Sequence, residues 1–288
     1  MGIVDLEFWE RNGYVVVPDA VPGALLDEVI DAIWVFLDMA PDDPSTWYRE
    51  ATDGQPYVRQ RKQYGVPGLV ELYHHQALWN VRQHPRMHQI FSEIWKTEQL
   101  WVSIDRANMN PPVRPGWDPR SVFHWDIDTS LRPVPVEVQG VLYLTDTSED
   151  QGAFRCVPGL HRTLEAWAAT QPVDRNPFQA DMSALTPKTI AGKAGDLIIW
   201  DSRLAHTNER NTTNRPRLGQ YLKMFPAKED DQALRQIRLQ SWETREAPND
   251  AKYRENVDST LERKRYGASS VVLTELGEKL LGLKRWRA

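Results

Sequence analysis

Residues 194–206 read AGDLIIWDSRLAH: a glycine turn, an apolar run of strand length, and a histidine carried to its far end. Strands of this kind need partners, and the sequence supplies them. From Leu100 onward come LWVSIDRANM, VFHWDI, VEVQGVLYLTD, AFRCV, KTIAG and RLGQYLKMF, each short and β-branched or aromatic, separated by Pro, Gly, Asn and Asp. With DLIIWD they make seven runs, enough for a sandwich or jelly roll. The segments on either side follow another rhythm. Over 22–39, Leu25, Leu26, Val29, Ile30, Ile33, Trp34 and Leu37 recur at three- and four-residue intervals, which predicts an amphipathic helix, and a second helical region spans 76–96. Residues 227–243 and 273–281 read as helical too. The expected architecture is mainly β with flanking helices. It forms one domain over 1–288: a helical cover over about 1–98, a β core over about 99–226 and a helical extension over about 227–288.

Composition excludes several classes of function. A net charge of −5, with Lys and Arg spread along 288 residues, provides no field for nucleic acid. One cysteine, Cys156, rules out an internal disulfide framework. The opening MGIVDLEFWERNG lacks a basic n-region, and no apolar stretch approaches membrane-spanning length. The chain reads as cytoplasmic and soluble, with no membrane partner; its oligomeric state stays open.

Upstream of the opening stretch stands FHWDID (123–128), where His124 and Asp126 are two residues apart. On a strand, residues i and i+2 share a face with Cα atoms roughly 6.6 Å apart, so both side chains can reach one ion. Trp125 then faces the other way. Asp128 lies about twice as far from His124 and makes a poor third ligand. A facial metal site needs a second histidine. Of His74, His75, His84, His88, His161 and His206, only His206 ends an apolar strand. The turn-rich NERNTTNRP follows it, and Arg217 then opens RLGQYLKMF, eleven positions after the histidine. An arginine there can grip a carboxylate bidentately. The other histidines have duller readings. His84 and His88, spaced i, i+4, lack a third ligand and read as surface residues; His74 and His75 read as loop residues; His161 reads as fixing a turn.

FHWDID, HTNERNTTNRPR (206–217), VLYLTDTSEDQGAFRCVPGLHR (141–162) and FWERNGYVVVPDAVP (8–22) together resemble the phytanoyl-CoA dioxygenase family of iron(II)- and 2-oxoglutarate-dependent oxygenases. The resemblance implies a double-stranded β-helix, the cupin-type jelly roll. It also implies Fe(II) held by His124, Asp126 and His206, and 2-oxoglutarate and O2 as co-substrates, with Arg217 on the distal carboxylate. The family often has Ser or Thr two residues after the distal histidine; here Asn208 stands there, and it too can donate a hydrogen bond. Arg215 is a neighbouring alternative to Arg217. Asn108 and Gln139, on strands expected to line the barrel, are further candidates for 2-oxoglutarate contact. Related halogenases have a small residue where Asp126 stands, so Asp126 points to oxygenation.

The activity this implies is hydroxylation of an unactivated C–H bond in a small molecule, in natural-product biosynthesis by analogy. Desaturation, cyclisation and epimerisation are open to the same chemistry. The competing readings are a non-catalytic jelly-roll binding module and a zinc-dependent cupin hydrolase, the second of which has no need of Arg217. Trp200 is a candidate pocket wall. The loop over 43–65 carries Trp47, Tyr48, Tyr57 and Tyr64, and it reads as a lid over a flat or hydrophobic substrate, with Tyr57 and Tyr64 as pocket candidates. Its Arg59, Arg61 and Lys62 read as solvated.

Overall fold

A computed structural model describes residues 2–48, 68–119, 122–248, 260–268 and 271–286. Among the described residues ten strands build two sheets: β1 (Tyr14–Val17), β2 (Leu69–Val70), β3 (Leu100–Val102), β4 (Ala107–Asn110), β5 (Val138–Tyr143), β6 (Phe154–Cys156), β7 (Lys188–Ile190), β8 (Leu197–Asp201), β9 (His206–Asn208) and β10 (Arg217–Pro226). The large sheet runs β1-β8-β5-β10-β4-β2, with β3 also on β10, and the small one runs β7-β6-β9. Every pairing is antiparallel, and the strands of the two sheets interleave along the chain, as a jelly roll requires.

Alternation decides which face each residue serves. On β10 and β5, Leu218, Leu222, Met224 and Leu142 point outward with Leu197 and Ile199 of β8, and all are buried. Helices α2 (Gly23–Leu37), α3 (Gln76–Arg82) and α4 (Pro85–Trp95) cover that face with Val29, Ile33, Leu78, Ile90 and Phe91. Fully burying one such side chain contributes roughly 1.5–3 kcal/mol. The other face turns inward, where Tyr14, Val141, Tyr143, Ile198 and Trp200 meet Phe154, Cys156 and Ile190 of the small sheet. The glycine turn ahead of β8 is real: Gly195 has φ +92°, a conformation that favours glycine.

Several expectations need correction. Residues 76–96 form two helices, because Pro85 starts α4 at its first turn with His84 as N-cap. Residues 122–127 make an isolated bridge at His124 and then a bend at Asp126 in place of a strand. Three helices were not expected: α1 (Leu6–Asn12), α5 (Leu160–Ala169), which places His161 in its first turn and whose Leu160, Leu164 and Trp167 do carry a helical period, and α7 (Leu261–Tyr266). The two later helices are shorter than expected, α6 (Gln232–Thr244) and α8 (Glu275–Leu281). His74 lies in a bend between β2 and α3, a loop position as expected, and is fully buried there, with its Nε2 at 2.9 Å from the Glu246 carbonyl oxygen. No helix among the described residues is long and apolar enough to cross a membrane.

Candidate active site

β9 begins at His206, and its backbone pairs directly with the segment carrying His124. The two residues exchange both N–H···O bonds, each 3.0 Å, which places their side chains side by side with ring centroids 4.6 Å apart. The bend after Trp125 then does what a straight strand would not. It turns the Asp126 carboxylate back until its oxygens stand 3.5 Å from His206 Nε2 and 3.8 Å from His124 Nε2. Trp125 faces the other side as parity requires, with its indole nitrogen donating to the Arg203 carbonyl. One ligand atom from each of His124, Asp126 and His206 lies within 4.8 Å of the others, the one such His/Cys/Asp/Glu group found among the described residues.

The tautomers follow from the backbone. His124 Nδ1 lies 2.9 Å from the Val122 carbonyl oxygen and His206 Nδ1 lies 3.1 Å from that of Leu204, so each Nδ1 carries the hydrogen and donates it. Each Nε2 is left with its lone pair facing the shared space, as a metal ligand requires. Burial pushes the Asp126 carboxyl up, but in the metal-free site a second proton on the imidazoles reverses this: the hydrogen bond and charge of His206 and the charge of His124, with the Gln139 amide, outweigh burial. The group is held well below the usual carboxylate range and stays an anion. Gln139 Nε2 donates to Asp126 Oδ2 at 2.6 Å, while Gln139 Oε1 is buried without a partner. Two imidazole nitrogens and one carboxylate, preset this way, fit a divalent first-row metal.

The set opens on a cavity of about 150 Å³ bordered by Asp126, His206, Gln139, Trp200, Asn208 and Tyr221. Trp200 forms an apolar wall, its ring 4.4 Å from that of Phe154 and 5.2 Å from His206, and its indole nitrogen is buried without a partner. Behind the cavity lies Arg217, completely buried. Its Nη1 donates to Asn108 Oδ1 at 3.1 Å and to the Tyr221 hydroxyl at 3.3 Å, but Nε and Nη2 have no partner. No carboxylate among the described residues pairs with it. A guanidinium is permanently charged, so two idle buried N–H groups mark a place for an anion. Gly219 packs closely beside them: an added Cβ would stand 3.3 Å from the Leu142 carbonyl oxygen and from Val141 Cγ2, and 3.8 Å from Nη2.

The predicted site residues thus fall into distinct places. His124, Asp126 and His206 come together; Arg217 is buried near them, whereas Arg215 is exposed. Asn108 touches Arg217, Gln139 touches Asp126, and Asn208 Nδ2 donates to the Tyr221 hydroxyl at 3.3 Å. Trp200 borders the cavity. Tyr57 and Tyr64, with the other charged residues of that loop, lie outside the described residues. Away from the site, His88 stacks on Trp286, His75 caps α3 and His161 Nε2 lies 3.2 Å from the Glu10 carbonyl oxygen. Sequence reasoning passed over Tyr221. The signal was available, since Arg217, Gly219 and Tyr221 share one face of β10 by parity.

A jelly roll with a two-histidine, one-carboxylate set facing a cavity, and an unpaired arginine buried behind it, has the build of a non-haem iron oxygenase. The chain belongs to the phytanoyl-CoA dioxygenase family, whose sequence profile matches residues 9–219. It is an enzyme of the iron- and 2-oxoglutarate-dependent dioxygenase class. A putative phytanoyl-CoA dioxygenase of Dictyostelium discoideum is 23% identical over 263 residues, covering 76% of this chain and 74% of the relative. Among solved structures, a putative oxidoreductase from Salmonella typhimurium LT2 superposes with a TM-score of 0.71 at 15% identity, over 95% of this chain and 81% of that one. The epimerase SnoN, solved with Fe3+, alpha ketoglutarate and nogalamycin RO, superposes with a TM-score of 0.54 at 15% identity, over 77% and 82%. At these identities the two structures establish a shared fold.

Proposed function

We propose that this protein hydroxylates an unactivated C–H bond of a small organic molecule, with iron(II) held by His124, Asp126 and His206 and the distal carboxylate of 2-oxoglutarate held by Arg217. The observation that carries the reading is the Arg217 guanidinium, fully buried with Nε and Nη2 unpaired one hydrogen bond away from the cavity-lining Tyr221. A buried charge of this kind is tolerated where a ligand supplies its partner. A zinc hydrolase would use the three ligands and leave Arg217 without a task.

When bound, iron with 2-oxoglutarate supplies the oxidising chemistry, in which O2 is consumed, succinate and carbon dioxide are released and the C–H bond is broken. The chain's own residues do the rest. The Val122 and Leu204 carbonyls fix both imidazoles with Nε2 presented, and Gln139 fixes the carboxylate between them. Trp200 and Phe154 keep water from one side of the reacting space. A cavity of about 150 Å³ suits a small substrate or one end of a larger one. SnoN is an epimerase on this fold, so the same site can serve an outcome other than hydroxylation.

The test is an anaerobic optical titration of metal-free protein with Fe(II) and then 2-oxoglutarate, with His206→Ala and Arg217→Ala in parallel. The expected result is a visible metal-to-ligand charge-transfer band that vanishes with His206→Ala and requires much more 2-oxoglutarate with Arg217→Ala. A folded wild-type protein that shows no band overturns the reading. Zinc retained through purification, with no response to 2-oxoglutarate, would move the assignment to a hydrolase.

A further inference from the structure

We infer that the Tyr221 hydroxyl is a second anchor for the distal carboxylate of 2-oxoglutarate, donating a hydrogen bond beside Arg217; this rests on the function proposed above. Two groups approach the Tyr221 oxygen, and each brings a hydrogen. Arg217 Nη1 lies at 3.3 Å and Asn208 Nδ2 at 3.3 Å. A guanidinium nitrogen can only donate, and so can an amide nitrogen. The oxygen therefore accepts twice, which leaves the phenolic O–H itself without an acceptor.

That hydrogen has one direction to serve. Tyr221 borders the cavity shared with Asp126, His206 and Asn208, and it stands four residues after Arg217 on the same face of β10. Gly219, the inward position between them, puts no side chain between the two groups; a Cβ there would stand 3.3 Å from the Leu142 carbonyl oxygen and 3.8 Å from Arg217 Nη2. The unpaired nitrogens of Arg217 and the phenolic O–H thus belong to one inward face of β10. Three donors with no acceptor describe a receptor for a carboxylate. Asn208 in this arrangement is a positioning residue: its amide occupies the phenol oxygen and so turns the hydroxyl hydrogen outward.

The test uses the full chain with Fe(II) under anaerobic conditions and measures binding of two ligands by calorimetry. One is 2-oxoglutarate; the other is pyruvate, which keeps the keto-acid end and lacks the distal carboxylate. Tyr221→Phe removes only the hydroxyl, and the expected result is about tenfold weaker binding of 2-oxoglutarate with pyruvate unchanged, the loss of one hydrogen bond to a charged group. Equal loss for both ligands would make Tyr221 a structural residue and overturn the inference. So would no loss for either, which is the outcome if Asn208 presents its carbonyl and absorbs the hydrogen. Failure of the wild-type protein to bind 2-oxoglutarate at all would bring down the iron and 2-oxoglutarate reading itself, with this inference among its consequences.

Discussion

Two arginines, each buried to within a few per cent, mark the difference between the C-terminal helical extension and the β core. Arg238, on α6, donates from Nε to the Leu281 carbonyl and from Nη2 to those of Val102 and Leu280, over distances of 2.7–3.0 Å, and rests on the rings of Trp101 and Phe225. It ties the C-terminal helices to β3, and none of its buried nitrogens lacks a partner. Arg217 has the rings of Tyr143 and Tyr221 for company but satisfies only Nη1. Burial alone does not distinguish them. A buried cation anchored on several backbone carbonyls, like Arg238, is part of the scaffold, whereas Arg217, with no backbone acceptor among the described residues and two nitrogens unpaired, is suited to a ligand.

The comparison can be broken in several ways. The largest effect belongs to His206→Ala, which removes one of three ligands at the surface of a completed sheet; we expect Fe(II) binding by equilibrium dialysis to disappear while circular dichroism stays that of the wild type. Next come the arginines themselves. Arg238→Ala strands three buried carbonyls and should lower the unfolding free energy by roughly 3 kcal/mol in urea melts. Arg217→Ala deletes an unpaired charge, so its unfolding free energy should stay within about 1 kcal/mol of the wild type. Its 2-oxoglutarate dissociation constant should instead rise roughly a hundredfold, the effect of removing one partner of a buried charge pair. If Arg217→Ala unfolds the protein and Arg238→Ala does not, the contrast is backwards.

Gln139→Leu tests the support of the site. The variant leaves Asp126 without its amide partner, and iron affinity should fall about tenfold. Unchanged affinity would mean that the two histidines alone hold the carboxylate in place.

The smallest effect comes from the cover. Burial, joined by the charges of Arg82 and Arg245 and opposed by the Glu246 carbonyl, pushes His74 down from 6.5 to about 3. The folded protein therefore keeps this histidine neutral where the unfolded chain protonates it. Stability from His74 is complete above pH 6.5 and drains away as pH falls toward 3, by about 1.4 kcal/mol per pH unit. Between pH 7.5 and 5.5 the loss of stability in urea melts should be smaller by about 1.4 kcal/mol in total in His74→Gln. Equal slopes in both proteins would mean that His74 is solvated.

Legibility in the sequence followed the range of the interaction. Most strands of the core were readable, because alternation is a local property and buried strands are rich in β-branched and aromatic residues. The shortest strands and helices, such as β2, β9 and α7, carry too few residues for a period to show. The break at Pro85 was present as a local signal, yet the apolar period running through it suggested one helix. His124, Asp126, His206 and Arg217 were found by spacing, although a straight strand was the wrong vehicle for the first two. The bend at Asp126 exists because Gln139 and the paired histidines hold the carboxylate, and Gln139 is thirteen positions away.

The residue types proposed as ligands, their order along the chain and the face on which each strand residue falls are local properties, since two-residue periodicity needs no knowledge of the neighbours. The partners are not local. Arg217 meets Asn108 across 109 positions, and His74 meets Ser241 across 167. Which buried polar atom is satisfied, and which is left for a ligand, is settled by contacts of that length, because a hydrogen bond depends on where two groups finish in space and hardly at all on their separation in the chain.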